Sequence, residues 1–186
     1  MPRKCWPSCS RFALDDIDVA DMLVRLYALP DAAGAIARAT RHGVTIRRPE
    51  PSEHRRVVDW VRTTFTEGWA AECEVAFASA PPACFIAVRD AAPIGFACHD
   101  CTRRNFFGRG GGDPAARGLG LGAALTLATL ASMRDAGYAY AIIGGVGPAT
   151  FYAKVAGAMP IEGSTPGIYD SSPVASPAAT PREGRP

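Results

Sequence analysis

Residues 113–128 read Asp-Pro-Ala-Ala-Arg-Gly-Leu-Gly-Leu-Gly and then Ala-Ala-Leu-Thr-Leu-Ala without a break. A glycine-rich turn that feeds directly into a helix makes an anion site. The first-turn amides have no intrahelical acceptor, and the helix dipole adds about half a positive charge there. Glycine lets a ligand approach the main chain closely. The helix pattern continues through Leu121, Leu125 and Ala128, with Leu127, Leu130 and Ala131 widening the apolar face, and Gly137 is placed to end it.

The rest of the chain sets this helix in a mixed α/β order. Met22–Tyr27 reads as a short strand, and the Ala-rich run Pro30–Ala39 as a helix ended by Gly43. Val44–Arg48 alternates as a strand, stopped by Pro49 and Pro51. Ser52–Arg55 starts a helix with Val57, Val58, Val61 and Phe65 on one face, and Trp69–Phe77 reads as a second helix. Cys84–Asp90 and Ile94–Asp100 form a hairpin about Asp90–Pro93. A strand begins at Asn105–Gly108 and runs into Arg109-Gly110-Gly111-Gly112. These glycines are expected to weaken it and to mark a bulge or a close backbone approach. Tyr138–Ile143 reads as a buried strand, Ala149 to about Val155 as a short helix, and Met159–Glu162 and Gly167–Tyr169 as final strands.

The expected domain organisation is a disordered leader over 1–16, a strand-helix extension over 17–43, the main α/β domain over 44–170, and a Pro/Ala/Ser-rich disordered tail over 171–186. The extension is expected at a sheet edge or on the acceptor side. A net charge of +2, with its arginines scattered, gives no nucleic-acid footprint. No apolar run is long enough to span a bilayer, and no apolar segment follows the basic start, so a cytoplasmic protein is expected. Six cysteines include one CxxC, Cys98-His99-Asp100-Cys101, without a second pair to complete four zinc ligands. Cys73 and Cys84 read as isolated apolar thiols, Cys5 and Cys9 lie in the leader, and no metal is expected.

Three anion readings compete for the glycine turn. A phosphate-binding P-loop requires a lysine after the last glycine, and none is present. A dinucleotide fingerprint requires Gly-x-Gly-x-x-Gly in an opening βαβ unit and an acidic ribose partner about twenty residues on. The spacing here is Gly-x-Gly-x-Gly in mid-chain, and Asp135 falls in the helix end. The third reading is Arg117-Gly118-Leu119-Gly120-Leu121-Gly122, an Arg-x-x-Gly-x-Gly loop. With Asp113–Gly118 before it and Phe151-Tyr152-Ala153-Lys154-Val155-Ala156-Gly157-Ala158 after it, this resembles the GNAT superfamily of N-acetyltransferases over roughly 44–169.

That resemblance implies a central mixed, mostly antiparallel sheet with helices on both faces, carrying the short N-terminal extension. It implies acetyl-CoA as co-substrate and direct transfer of acetyl to a primary amine in a ternary complex. Gly118, Leu119, Gly120, Leu121 and Gly122 would bind the pyrophosphate through main-chain amides, with Arg117 adding charge. Gly110, Gly111 and Gly112 would face the pantetheine arm where their strand splays from its neighbour. Tyr152 would be the general acid. Leu119 stands where many members carry a basic residue, and 145–148 where many carry an asparagine. Asp100 and Glu72 are the candidate bases, beside His99 and Glu74, and Trp69 and Phe107 candidate pocket walls. The expected partners are a small-molecule or peptide amine and, as an option of assembly, a second copy in a homodimer; nucleic acid and membrane are not expected. The alternative is a non-catalytic acyl-CoA-binding or sensor module.

Overall fold

The computed structural model describes residues 20–165 and 167–169. Its strands form one seven-stranded sheet, in the order β2-β3-β4-β5-β6-β1-β7. They are β1 Met22–Arg25, β2 Thr45–Arg47, β3 Cys84–Arg89, β4 Ala92–His99, β5 Phe106–Gly112, β6 Tyr140–Ile143 and β7 Met159–Pro160. The α-helices are α1 Ala33–Thr40, α2 His54–Thr64, α3 Glu67–Phe77, α4 Leu121–Asp135 and α5 Ala149–Ala156. All pairings are antiparallel except β5 with β6. The mixed, mostly antiparallel sheet is therefore the expected one, and so is the element order from 44 onward.

Helices cover both faces. On one, α4 carries Leu121, Leu125, Leu130 and Met133 into a core shared with Val24, Leu26, Ile143 and the buried side of α1. On the other, Val57, Val58 and Val61 of α2 and Ala70, Cys73 and Ala76 of α3 pack on Ile86, Phe96 and Cys98. Helix α4 is apolar on nearly every side, which is what a helix enclosed by a sheet and neighbouring helices requires.

Several elements differ from the sequence expectation. The first strand stops at Arg25, and Leu26–Ala28 turns as a 3₁₀ helix. The first helix begins at Ala33, not Pro30, because Asp31 accepts from the Ala33 amide at 3.0 Å and holds the preceding turn. The 22–25 strand does not lie at an edge: it enters between β6 and β7, pairing Met22 with Ile143 and with Pro160. Strand β6 is not wholly buried, because Tyr140 is 45% exposed and packs edge-on against Tyr27. Gly167–Tyr169 is a 3₁₀ turn and not a strand. The leader and the whole of the 171–186 tail lie outside the described residues, as do Cys5 and Cys9.

The start of α2 yields a prediction. Glu53 accepts from both Arg47 Nη1 and Nη2, at 2.7 and 2.8 Å, and from the Glu50 amide at 2.7 Å. The Arg47 hydrogen bonds above all hold the Glu53 carboxyl down at about 2. A depressed carboxyl contributes stability above its ordinary pKa of about 4.3 and loses it as pH falls through the folded value. The pair is 36% and 29% exposed, which caps its worth at about 1 kcal/mol. Glu53→Gln should therefore cost up to about 1 kcal/mol near neutral pH in urea melts. The difference from wild type should shrink as pH falls below about 4 and be gone only below the folded pKa of about 2.

Candidate active site

Strands β5 and β6 run side by side for only two residue pairs, Phe106 with Ile142 and Phe107 with Ile143. Beyond them β5 continues through Gly112 on β4, with Gly110 opposite Ala97, Gly111 opposite Phe96 and Gly112 opposite Gly95. Among the described residues, no strand lies along its other edge there. The triglycine run stays within the strand and makes the close backbone approach that the sequence suggested. A Cβ on Gly111 would meet Phe65 Cε1 at 2.7 Å and Trp69 Cζ3 at 3.1 Å.

A cavity of about 70 Å³ fills the gap where the strands part. Gly110, Gly111 and Gly112 wall one side, Gly122, Leu125 and Thr126 of α4 another, and Phe151 and Tyr152 of α5 a third. Of the predicted Arg117–Gly122 loop, only Gly122 lines this cavity. Asp113 caps the short Pro114–Ala116 3₁₀ turn by accepting from Ala115 N at 2.8 Å. Gly120 then takes φ 78°, a left-handed conformation that costs a side-chain-bearing residue about 1 kcal/mol or more, and starts α4. The first α-helical bond runs from Ala124 N to Gly120 O, so the amides of Leu121, Gly122 and Ala123 precede it and have no helical acceptor. Helix α5 approaches closely, since a Cβ on Gly122 would stand 3.3 Å from Phe151 Cζ. Leu119 packs against the core beside α4.

Tyr152 meets Phe107 edge-on at 6.0 Å and Phe151 at 5.0 Å. Burial raises its phenol pKa, with Arg109 opposing the rise, so the hydroxyl keeps its proton. Arg109 Nε donates to Glu72 Oε1 at 3.2 Å, and Thr102 donates to Glu72 Oε2 at 2.8 Å. Glu72 is thus tied to Arg109, whose guanidinium carbon stands 5.7 Å from the Trp69 ring centre. Phe107 lines the cavity, whereas Trp69 stacks on Phe65 at 4.8 Å. Glu74 pairs with Arg62 at 3.5 Å and borders a separate, open groove of about 490 Å³ beside α2 that shares no residue with the cavity.

Asp100 is not brought to this cavity. With φ 58° it turns the chain after β4, accepts from Asn105 N at 2.7 Å, and pairs with His99 Nδ1 at 2.9 Å. His99 Nε2 meets Ser132 Oγ at 3.1 Å, and Arg48 donates to the same oxygen at 2.6 Å. His99 thus bridges Asp100 and Ser132 through its two ring nitrogens, with Arg48 joining at the serine. Ser132 sits about 15 Å along α4 from Gly122, so this network braces the far end of the helix. Thr126 also lines the cavity, and its one signal is a polar side chain interrupting an apolar helix run.

This architecture is the fold of the GCN5-related N-acetyltransferases. The chain is similar to a GCN5-related glucosamine N-acetyltransferase region in a fungal multi-domain GH3 β-N-acetylglucosaminidase, at 14% identity and a TM-score of 0.64, covering 77% of this chain and 20% of that one. It is similar also to a GCN5-related N-acetyltransferase from Sphaerobacter thermophilus, at 18% identity and a TM-score of 0.60, covering 76% of this chain and 48% of that one. The chain thus spans about a fifth and about half of these two proteins. No protein-family model and no curated protein matches the sequence. Among the described residues, no helix is long and apolar enough to cross a membrane.

Proposed function

We propose that the protein is an acetyl-CoA-dependent N-acetyltransferase acting on a primary amine. The observation that carries this reading is the cavity in the β5–β6 gap, which gathers the triglycine edge, the first turn of α4 and Tyr152 around one space. Those groups suit acetyl-CoA as substrate. The amides at the start of α4, with Arg117 near them in sequence, supply positive potential for a pyrophosphate. The unpaired β5 edge supplies main-chain donors and acceptors for an amide-bearing arm, and a main-chain amide there can polarise a thioester carbonyl.

In the reaction, the neutral amine nitrogen attacks the thioester carbon, the carbon–sulfur bond breaks, and the thiolate leaves. Tyr152 is the proton donor to that sulfur, and its raised pKa favours holding the proton until the thiolate forms. Glu72 is the candidate to orient the amine or accept its proton through water, because α3 holds it against Arg109 of β5, beside Trp69. Asp100, turned into the His99 network, does not serve as the base.

The reading is tested by melting the protein with acetyl-CoA and then assaying free CoA thiol across an amine panel. A ligand at 100 times its Kd adds about 2.7 kcal/mol, a rise in Tm of several degrees. A rise in Tm with acetyl-CoA and thiol release with at least one amine are expected. Melting unchanged at millimolar acetyl-CoA refutes the reading, and binding without turnover on every amine leaves a non-catalytic acyl-CoA-binding module.

A further inference from the structure

Cys73 and Cys84, isolated thiols by sequence, meet Cys98 of the CxxC in one cluster. They come from three elements, α3, β3 and β4, and their Sγ atoms all lie within 4.8 Å of one another. Each is fully buried, at 0% exposure. Cys84 and Cys98 face each other directly across the β3–β4 ladder, and α3 lowers Cys73 onto the pair. Val57, Val58, Ala70, Ala83, Ile86 and Phe96 share their hydrophobic cluster, and His54 stands near enough to Cys73 to act on it electrostatically. The CxxC motif, unused by the acetyl-transfer site, ends here. The turn at Asp100 brings Cys101 back beside Cys98, outside the group of three, where its thiol donates to the His99 carbonyl at 3.1 Å.

We propose that these thiols form a structural site for a thiophilic d¹⁰ cation, Zn²⁺ or Cu(I), held by Cys73, Cys84 and Cys98, with Cys101 turning from the His99 carbonyl to complete a tetrahedral shell. Zinc–thiolate bonds of about 2.3 Å set tetrahedral sulfurs about 3.8 Å apart, so the three sulfurs need to close by no more than about an ångström. Three convergent sulfurs supply what a soft metal requires, and a hard cation would find no oxygen ligand among these four residues. On binding, each ligating thiol loses its proton to solvent and gains a bond to the ion. The site would tie α3 to the β3–β4 hairpin on the sheet face opposite α4. Full burial means that the ion is taken up as the chain folds.

The test uses the full chain carrying Cys5→Ser and Cys9→Ser, refolded under reducing conditions after chelator treatment, in separate arms with Zn²⁺, Cd²⁺ and Cu(I). The expected result is one ion per chain, a thiolate-to-metal charge-transfer band in the Cd²⁺ and Cu(I) arms, a raised Tm, and protection of three or four thiols from alkylation. Competition between the arms tells which ion is preferred. Cys73→Ala/Cys84→Val/Cys98→Ala should abolish uptake. Should that variant not fold, X-ray absorption on the Zn²⁺-loaded parent decides, with a shell of three or four sulfurs at about 2.3 Å expected. Stoichiometric uptake that persists in the folded triple variant, a nitrogen–oxygen shell, no saturable uptake in any arm, or a Cys84–Cys98 disulfide formed in preference to metal binding would overturn the proposal. Acetyl-CoA binding is not part of any readout, so failure here is separate from failure of the transferase reading.

Discussion

Tyr152→Phe should lower kcat for acetyl transfer by about 10²-fold or more, while KM for acetyl-CoA and the melting temperature stay near wild type. The ring is retained, so its edge contacts with Phe107 and Phe151 persist and the cavity keeps its wall. Only the proton is removed. A positioned general acid is worth about 10²–10⁴ in rate, and losing it falls on the transition state rather than on ground-state binding. The pH profile gives a second readout. Burial raises the Tyr152 pKa above its ordinary value of 10.0. The protonated, active form therefore persists to higher pH than an ordinary tyrosine would allow, and the alkaline limb of kcat belongs above that value. That limb should be absent from the residual activity of the Phe variant. An equal fall in Tm and rate would instead mark Tyr152 as a packing residue.

Gly111→Ala should destabilise the fold by about 1–3 kcal/mol, the range for overfilling a packed core, and lower Tm by several degrees. The added methyl would stand 2.7 and 2.8 Å from two Phe65 ring carbons. Phe65 cannot swing aside cheaply. It stacks on Trp69 with an interplanar angle of 17° and is flanked by Trp60 and Phe96. Relief must then come from moving β5, which also reshapes the cavity wall, so acetyl-CoA affinity should fall with stability. Phe65→Leu in the same chain should recover part of the loss. A double-mutant cycle should give a coupling of about 0.5–3 kcal/mol. Simple additivity would show that the ring and the glycine are not in contact.

The contrast between these two positions shows what the sequence makes legible. Helix α4 and the α5 segment are local patterns with their own stop signals, and both lie close to where periodicity and glycine place them. The loop from Arg117 to Gly122 is contiguous, so its role as a turn before a helix can be read without the fold. Gly111 cannot be read that way. A triglycine run looks like a weakened strand until the rings of Phe65 and Trp69, more than forty residues earlier, are found lying over it. The same holds for Asp100, whose bonds to His99 and Asn105 across a turn cannot be read from the local sequence.

Long-range convergence is the other gap. Met22–Arg25 is only four residues, and nothing in it says that it will enter between β6 and β7. Its partners lie over a hundred residues on, and strand pairing at that separation is set by the sheet as a whole. Cys73, Cys84 and Cys98 have no fixed-spacing signature because a helix, a strand and the strand's hairpin partner bring them together. Glu72 was legible as a carboxylate on the second helix, but its bond to Arg109 beyond the hairpin was not.

The central claim is that acetyl-CoA occupies the gap where β5 leaves β6. Amide hydrogen exchange, followed with and without saturating acetyl-CoA, tests it most directly. The account predicts slowed exchange over residues 108–112 and 118–124, with little change along α2 and in the β2–β3 pairing. No protection in those two segments, or protection confined to the open groove beside α2, would contradict it.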